Sequence, residues 1–79
     1  MEAVVRVVPR EDYLLELWFN TGDHRVFDAK PYLNRGVFIR LLEIALFKQA
    51  FVALDTVWWP GDIDIAPETL YDRSVPIDS

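Results

Sequence analysis

The stretch from residue 57 to residue 71 constrains the fold more than any other part of this sequence. It contains two of the three tryptophans, two of the five prolines and a Pro-Gly step. Its order predicts a strand that ends at Pro60, a turn at Gly61, an extended Asp-Ile-Asp-Ile run and a short helix that begins at Pro67. Proline suits the first turn of a helix because the N–H that it lacks has no partner there. Large apolar side chains beside so rigid a turn predict a structural role, with Trp59 in the core.

Size and composition indicate one small domain. The chain has 79 residues, of which 52% are hydrophobic and 14% aromatic, so large side chains must supply the core. We expect a single domain over 1–79, with an ordered core over about 3–72 and a loose tail over 74–79. With no cysteine, neither disulfides nor thiolate-bound metals are expected. No signal peptide or membrane span is recognisable, which predicts a cytoplasmic protein without membrane contact.

The charge is unevenly distributed along the chain. Residues 1–54 carry seven acidic and seven basic side chains, whereas residues 55–79 carry six acidic and one basic. The net charge of −5 therefore comes from the last third. An acidic surface repels phosphate backbones, so we expect no direct binding of nucleic acid.

The N-terminal half predicts three antiparallel strands. A valine-rich strand over 2–8 precedes Pro9, and residues 13–19 alternate as a half-buried strand does. A turn over 20–23 leads to a strand over 24–28. With a four-residue loop, Phe19 pairs with His24, and three apolar residues share the second face of the hairpin. That face is too apolar for open water, and Trp58 points away from the Trp59 core. The candidate interface residues are therefore Leu14, Trp18, Phe27 and Trp58.

Residues 31–49 predict the helical part of the fold. Leu33, Val37, Leu41 and Ala45 recur at helical spacing, with Phe38 and Leu42 beside them. From residue 44 to 47 the pattern is apolar all round, which indicates deep burial or a break into two pieces. Strands over 50–54 and 56–59 follow. The predicted class is α+β: a small antiparallel β-meander of about five strands, packed with one central helical segment and a short C-terminal helix.

Few residues suggest chemistry. His24 is the only histidine, and no serine or cysteine motif would make it a catalytic base. We therefore expect no enzyme activity and no cofactor. Asp62, Asp64 and Glu68 form a candidate acidic surface, and carboxylates do bind divalent cations. Too few ligands converge for a metal site, so none is predicted, although a small-ligand or divalent-metal-binding accessory domain that uses these three residues is the alternative hypothesis.

Several short motifs, taken in order, resemble the bacterial family of unknown function DUF2442. The first half carries Tyr13-x-Leu-x-Leu-x-Phe19, Gly22 and Arg25-Val-Phe-Asp28. The second half carries Lys30-Pro31-Tyr32-Leu33, Gly36-Val-Phe38, Phe47-Lys48, Trp59-Pro60, Asp64, Pro67 and Leu70-Tyr71. The resemblance implies an α+β domain with an antiparallel meander and no known activity.

The resemblance also bears on function. Members of DUF2442 are sometimes fused to helix-turn-helix domains or encoded beside another family of unknown function, DUF4160, which implies an antitoxin-like or regulatory role by association. The sequence thus predicts a non-enzymatic, cytosolic protein-interaction module that binds a protein partner or forms a homo-oligomer.

Overall fold

Two antiparallel sheets with short helices between them make up the fold. The structure is a computed structural model that describes residues 1–77. The four-stranded sheet has the order β1-β2-β3-β7, and its strands are β1 (Val4–Arg10), β2 (Leu14–Phe19), β3 (His24–Asp28) and β7 (Val75–Pro76). The three-stranded sheet contains β4 (Phe51–Ala53), β5 (Thr56–Trp59) and β6 (Ile63–Ile65). The α+β class is confirmed, with seven strands in two sheets where about five were predicted.

Across residues 1–77, five short helices connect or cover these strands. Two are α-helices, α1 (Ile44–Phe47) and α2 (Pro67–Arg73). The other three are 3₁₀ helices over Glu11–Tyr13, Lys30–Tyr32 and Gly36–Leu42. None of the helices within residues 1–77 is long and apolar enough to cross a membrane.

The β2–β3 hairpin turns one residue earlier than predicted. The Phe19 N–H donates to the carbonyl of Asp23 at 2.9 Å, so three residues form the loop, and Gly22 adopts the positive φ of 90° that such a loop requires. Trp18 therefore pairs with His24, and the predicted Phe19–His24 pairing is wrong. Because side chains alternate along a strand, this shift by one residue moves Phe27 to the opposite face of the sheet.

The core contains the stretch that the sequence singled out. Its largest fully buried side chains include Trp59, Phe27 and Phe47. From the stretch 57–71 it also takes Val57, Ile63, Ile65 and Leu70. The prediction that Trp59 is a core residue is confirmed, since only 1% of its surface is exposed. The turn after it has Gly61 at φ 93°, and α2 begins at Pro67 as predicted.

The central helical part is not the long helix that the apolar spacing predicted. Leu33 and Leu41 are buried, whereas Val37 and Ala45 of the same predicted stripe are exposed. For Val37 the reason is the helix type, because a 3₁₀ helix has 3.0 residues per turn and aligns i with i+3, where an α-helix aligns i with i+4. Ala45 lies beyond this helix, in α1. An extended residue, Glu43, then separates this helix from α1. Of the two alternatives that the all-round apolar pattern left open, the break into separate pieces is the one observed.

The C-terminal residues attach to the four-stranded sheet. A loose tail was predicted over 74–79, but Ser74 is buried and the residues of β7 pair with Arg25 and Val26. The Arg25 side chain donates to both Ser74 Oγ and the Ser74 carbonyl at 2.7 Å. The expectation is thus corrected for 74–77, and its last two residues, 78 and 79, lie outside the described residues.

Candidate protein-interaction surface

The 3₁₀ helix over Gly36–Leu42 presents apolar side chains to solvent. Three rows of side chains run along such a helix, because every third residue aligns. The row of Phe38 and Leu41 faces the core, with Leu41 completely buried. The next row, Ile39 and Leu42, faces outward. One inward row therefore leaves the neighbouring apolar row uncovered.

Four large aliphatic residues within 37–44 are exposed and define what we call the apolar ridge. The exposed fractions are 56% for Val37, 51% for Ile39, 52% for Leu42 and 39% for Ile44. Val37 and Leu42 had been predicted to face the core, and both predictions are wrong for the reason of helix pitch given above. The first three lie on the 3₁₀ helix and Ile44 is the first residue of α1, and exposed apolar side chains grouped in this way are typical of contact sites.

The apolar ridge sits on a well-packed base. The Tyr13 hydroxyl donates to the Leu42 carbonyl, and the Tyr13 ring meets the Phe47 ring edge-on at 5.1 Å between centroids. The Phe47 carbonyl in turn accepts a 2.9 Å hydrogen bond from Trp59 Nε1. Since Leu41 and Phe47 already fill the space beneath, the ridge residues cannot turn inward without displacing them.

Three exposed cations lie on the same segment as the apolar ridge. We call Arg35, Arg40 and Lys48 the basic rim; Arg35 precedes the ridge in the chain, Arg40 lies within it and Lys48 follows α1. Within the described part of the chain, none of the three lies within 4.0 Å of a carboxylate oxygen. The guanidinium of Arg40 lies over Gly61, 2.8 Å from the position that a Cβ would occupy there.

The four predicted interface residues do not form one surface. Leu14 and Trp18 share the outer face of the four-stranded sheet and are half-buried. Phe27 is completely buried in the core, so its prediction as an interface residue is wrong, and Val26 takes its place opposite Glu16. Trp58 lies on the other sheet.

Trp58 occupies the outer face of the three-stranded sheet, as its alternation with Trp59 predicted. It pairs with Phe51 on one side and Asp64 on the other, and it is half-buried. Its indole Nε1 is buried without a hydrogen-bond partner among the residues that the structure describes. Phe51 beside it is 45% exposed, which makes this edge strand a second apolar area.

The outer face around Trp18 is occupied by contacts within the chain. The Arg6 guanidinium carbon lies 4.5 Å from the centroid of the Trp18 ring, and His24 stacks on the same residue at 4.6 Å. Glu16 lies 2.6 Å from both Arg10 Nη2 and His24 Nε2. Hydrogen bonds from Arg10 and then from His24 hold the pKa of the Glu16 carboxyl below its ordinary value. The Trp18 ring is therefore half-buried by contacts with Arg6 and His24, whereas the side chains of the apolar ridge are exposed.

The predicted acidic residues are all exposed. Asp64 points away from the core because its neighbours Ile63 and Ile65 point into it, and Asp62 and Glu68 are likewise exposed. Within residues 1–77, no group of three His, Cys, Asp or Glu side chains is arranged to hold a metal ion, and no pocket is found there.

Sequence reasoning missed Ile39, Ile44 and Phe51 as surface residues. A signal was present, because nine of the twelve residues from 36 to 47 are apolar and only Gly36, Arg40 and Glu43 are not. A short helical segment buries one face. The surplus of apolar residues therefore has to be exposed to solvent or covered by another molecule.

Two antiparallel sheets and short helices define a small α+β protein, and the apolar ridge is exposed on its surface. The chain belongs to the family described as protein of unknown function (DUF2442), whose sequence profile matches residues 4–76. The matched range begins with the first residue of β1 and ends with the last residue of β7, and it confirms the family resemblance. Comparisons with curated proteins and with solved structures found no match.

Proposed function

We propose that this protein is a non-enzymatic interaction module that binds a protein partner through the apolar ridge. The supporting observation is that Val37, Ile39, Leu42 and Ile44 are each 39–56% exposed within eight residues of chain. Burial of apolar surface contributes about 25 cal/mol per Å². A partner that covers these side chains would therefore gain affinity without any rearrangement of the core.

The position of these residues distinguishes them from other exposed apolar side chains. Val5, Leu54 and Val75 are also more than half exposed, but they lie on separate strands and turns. Single exposed apolar residues are normal on protein surfaces. Val37, Ile39 and Leu42 lie on one helix and Ile44 begins the next, and several exposed apolar side chains so close together are the arrangement that interaction sites favour.

The proposed role is antitoxin-like or regulatory, and the proposed location is the cytoplasm. The family resemblance supports the role, through the helix-turn-helix fusions and the neighbouring DUF4160 genes with which such proteins are associated. The cysteine-free composition is what a reducing compartment permits.

Photo-crosslinking tests the binding surface directly. Benzoylphenylalanine replaces Leu42 in one variant and Leu54 in a matched control, and both are irradiated in cells of the source organism. Leu54 is the more exposed of the two, at 83% against 52%, so exposure alone cannot favour position 42. We expect a discrete protein adduct from position 42 and none from position 54. Equal adducts from both positions, or no adduct from position 42, would contradict the proposal.

Self-association is the other predicted form of contact and is checked separately. Sedimentation of the purified protein at high micromolar concentration reports its oligomeric state. If the apolar ridge forms a homo-oligomer, Ile39→Glu/Leu42→Glu becomes monomeric while Trp18→Glu does not. The opposite pattern would place self-association on the outer face of the four-stranded sheet.

A further inference from the structure

We infer that the partner segment bound by the apolar ridge is acidic, with Asp or Glu side chains interleaved among aliphatic or aromatic ones. This inference rests on the proposed function and specifies the chemistry of the partner. It is drawn from how the chain distributes and pairs its own cations.

The helical part has a charge opposite to that of the rest of the protein. Residues 30–49 carry four basic side chains and one acidic side chain, a net charge of +3. The remainder carries four basic and twelve acidic side chains, a net charge of −8, which together with +3 gives the −5 of the chain. The apolar ridge therefore lies in a basic region of a molecule that is acidic as a whole. An approaching acidic segment is attracted to this region and repelled elsewhere.

The basic residues of the four-stranded sheet have partners within the chain, and those of the basic rim do not. Arg6 lies over Trp18, Arg10 pairs with Glu16 and Arg25 binds Ser74. Lys30, in the same basic region, lies 3.1 Å from Asp28 and 3.2 Å from Asp12.

The cations of the basic rim are therefore available to carboxylates of another molecule. Arg73, in α2, is also exposed and without an ion pair among residues 1–77, but it is a single cation outside the segment that carries the apolar ridge. Arg35, Arg40 and Lys48 are all exposed, and no carboxylate of residues 1–77 pairs with them. An interface with an apolar centre and a charged, solvent-accessible rim is the usual anatomy of a specific contact.

The same charges disfavour a second copy of this chain as the occupant. In a two-fold dimer the same patch meets itself, so the basic rim would face another basic rim. Like charges brought together across an interface cost free energy. A head-to-tail contact between the basic rim and the acidic C-terminal third leaves one binding surface free on each end copy. Further copies would add to it, and sedimentation would detect assemblies larger than a dimer.

Nucleic acid is also a poor match for this surface. Single-stranded nucleic acid stacks its bases on aromatic side chains, whereas the apolar ridge is aliphatic. The charge of −8 on the rest of the molecule opposes a phosphate backbone. An acidic polypeptide offers carboxylates that can pair with the basic rim and apolar side chains that can pack on the apolar ridge.

Two synthetic peptides provide the test. Both have the same length and the same leucine positions, but one carries Glu and the other Lys at every polar position. Each is titrated into the ¹⁵N-labelled full-length protein and followed by NMR. We expect the Glu peptide to shift the amide resonances of residues 35–48, to bind about tenfold or more tightly than the Lys peptide, and to weaken as salt rises.

Charge reversal of the basic rim supplies the control. Arg35→Glu/Arg40→Glu/Lys48→Glu should reverse the preference between the two peptides. Because Arg40 lies over Gly61, Arg35→Glu/Lys48→Glu is the second variant and should at least abolish the preference for Glu. Thermal melting of each variant checks that it is folded.

The outcomes separate this inference from the proposed function. Equal binding of both peptides, binding of neither, shifts outside 35–48, or tighter binding of a mixed-sequence 20-nucleotide single-stranded DNA would each overturn the inference of an acidic partner. The proposed function is judged by the adduct at position 42. If that adduct forms and its crosslinked segment, sequenced by mass spectrometry, is neutral or basic, the proposed function stands and the acidic partner is wrong.

Discussion

Trp59 Nε1 donates a 2.9 Å hydrogen bond to the backbone carbonyl of Phe47. The two rings also lie 6.0 Å apart at their centroids, and both side chains are fully buried. This pair joins the three-stranded sheet to α1, whose first residue, Ile44, belongs to the apolar ridge. The surface proposed for binding is therefore fixed to the core by the residue that the sequence predicted as its centre.

Replacement of Trp59 should destabilise the protein more than any exposed substitution does. Trp59→Ala removes a fully buried indole and leaves a cavity, at a cost of about 3–5 kcal/mol, which is a large part of the stability of a small domain. Trp59→Phe keeps a ring but leaves the Phe47 carbonyl without its donor, and should cost less. Urea unfolding followed by circular dichroism measures both. A Trp59→Ala protein with nearly wild-type stability would show that the core does not depend on this residue.

Neighbouring leucines of the 3₁₀ helix should respond differently to truncation. Leu41 is completely buried and Leu42 is 52% exposed. Leu41→Ala should cost about 2–5 kcal/mol, whereas Leu42→Ala should stay within about 0.5 kcal/mol of wild type. Thermal or urea unfolding of the two variants makes the comparison. Similar losses for both would indicate that Leu42 also contributes to the core, and would remove it from the apolar ridge.

Two neighbouring residues of β3, Val26 and Phe27, test the pairing of β2 with β3, because they lie on opposite faces of the sheet. Phe27→Ala should cost about 3–5 kcal/mol, because its side chain is completely buried. Val26→Ala, on the half-buried outer face, should cost about 1 kcal/mol or less. Equilibrium unfolding of both variants is the measurement. If Val26→Ala cost more stability than Phe27→Ala, the strands would be paired as in the predicted four-residue loop, with Phe19 opposite His24.

Glu16 should make the stability depend on pH in the acidic range. Its folded-state pKa is lowered by hydrogen bonds from Arg10 and His24. The stability that it contributes is therefore present above its unfolded-state pKa, ordinarily 4.5, and is lost as the pH falls through the lower folded-state pKa. Glu16→Gln should cost on the order of 1 kcal/mol at pH 7.

The matched measurement is urea unfolding of wild type and Glu16→Gln at about pH 7 and about pH 3. We expect the difference between the two proteins to shrink at the lower pH, because wild-type Glu16 then begins to bind a proton. A difference that stays constant would mean that the Glu16 carboxylate does not favour the folded state through its charge.

Part of this protein follows from local sequence alone. β3 over His24–Asp28 and β5 over Thr56–Trp59 were predicted with the bounds observed, because alternating apolar residues end there at turn residues or at proline. Pro67 likewise begins α2, since proline fits only the first turn of a helix. These features depend on interactions between near neighbours, which the order of residues specifies.

Other features depended on contacts between distant residues. The attachment of β7 requires Arg25 to reach Ser74, a pairing that no local pattern reveals. The loop between β2 and β3 is a local feature that the turn residues alone left open. It has three residues, closed by the hydrogen bond from the Phe19 N–H to Asp23, and that one-residue difference decides which face carries Phe27.

The candidate surface shows the same division most clearly. The sequence determined that residues 36–47 are too apolar for one buried face. Only tertiary packing decided which of them are exposed, because Tyr13, Phe47 and Trp59 hold the segment in place from beneath. The intrinsic helix propensity of so short a segment is weak, and tertiary packing can override it. The 3₁₀ pitch that results turns Leu41 inward and Leu42 outward, and with them it sets the position of the apolar ridge.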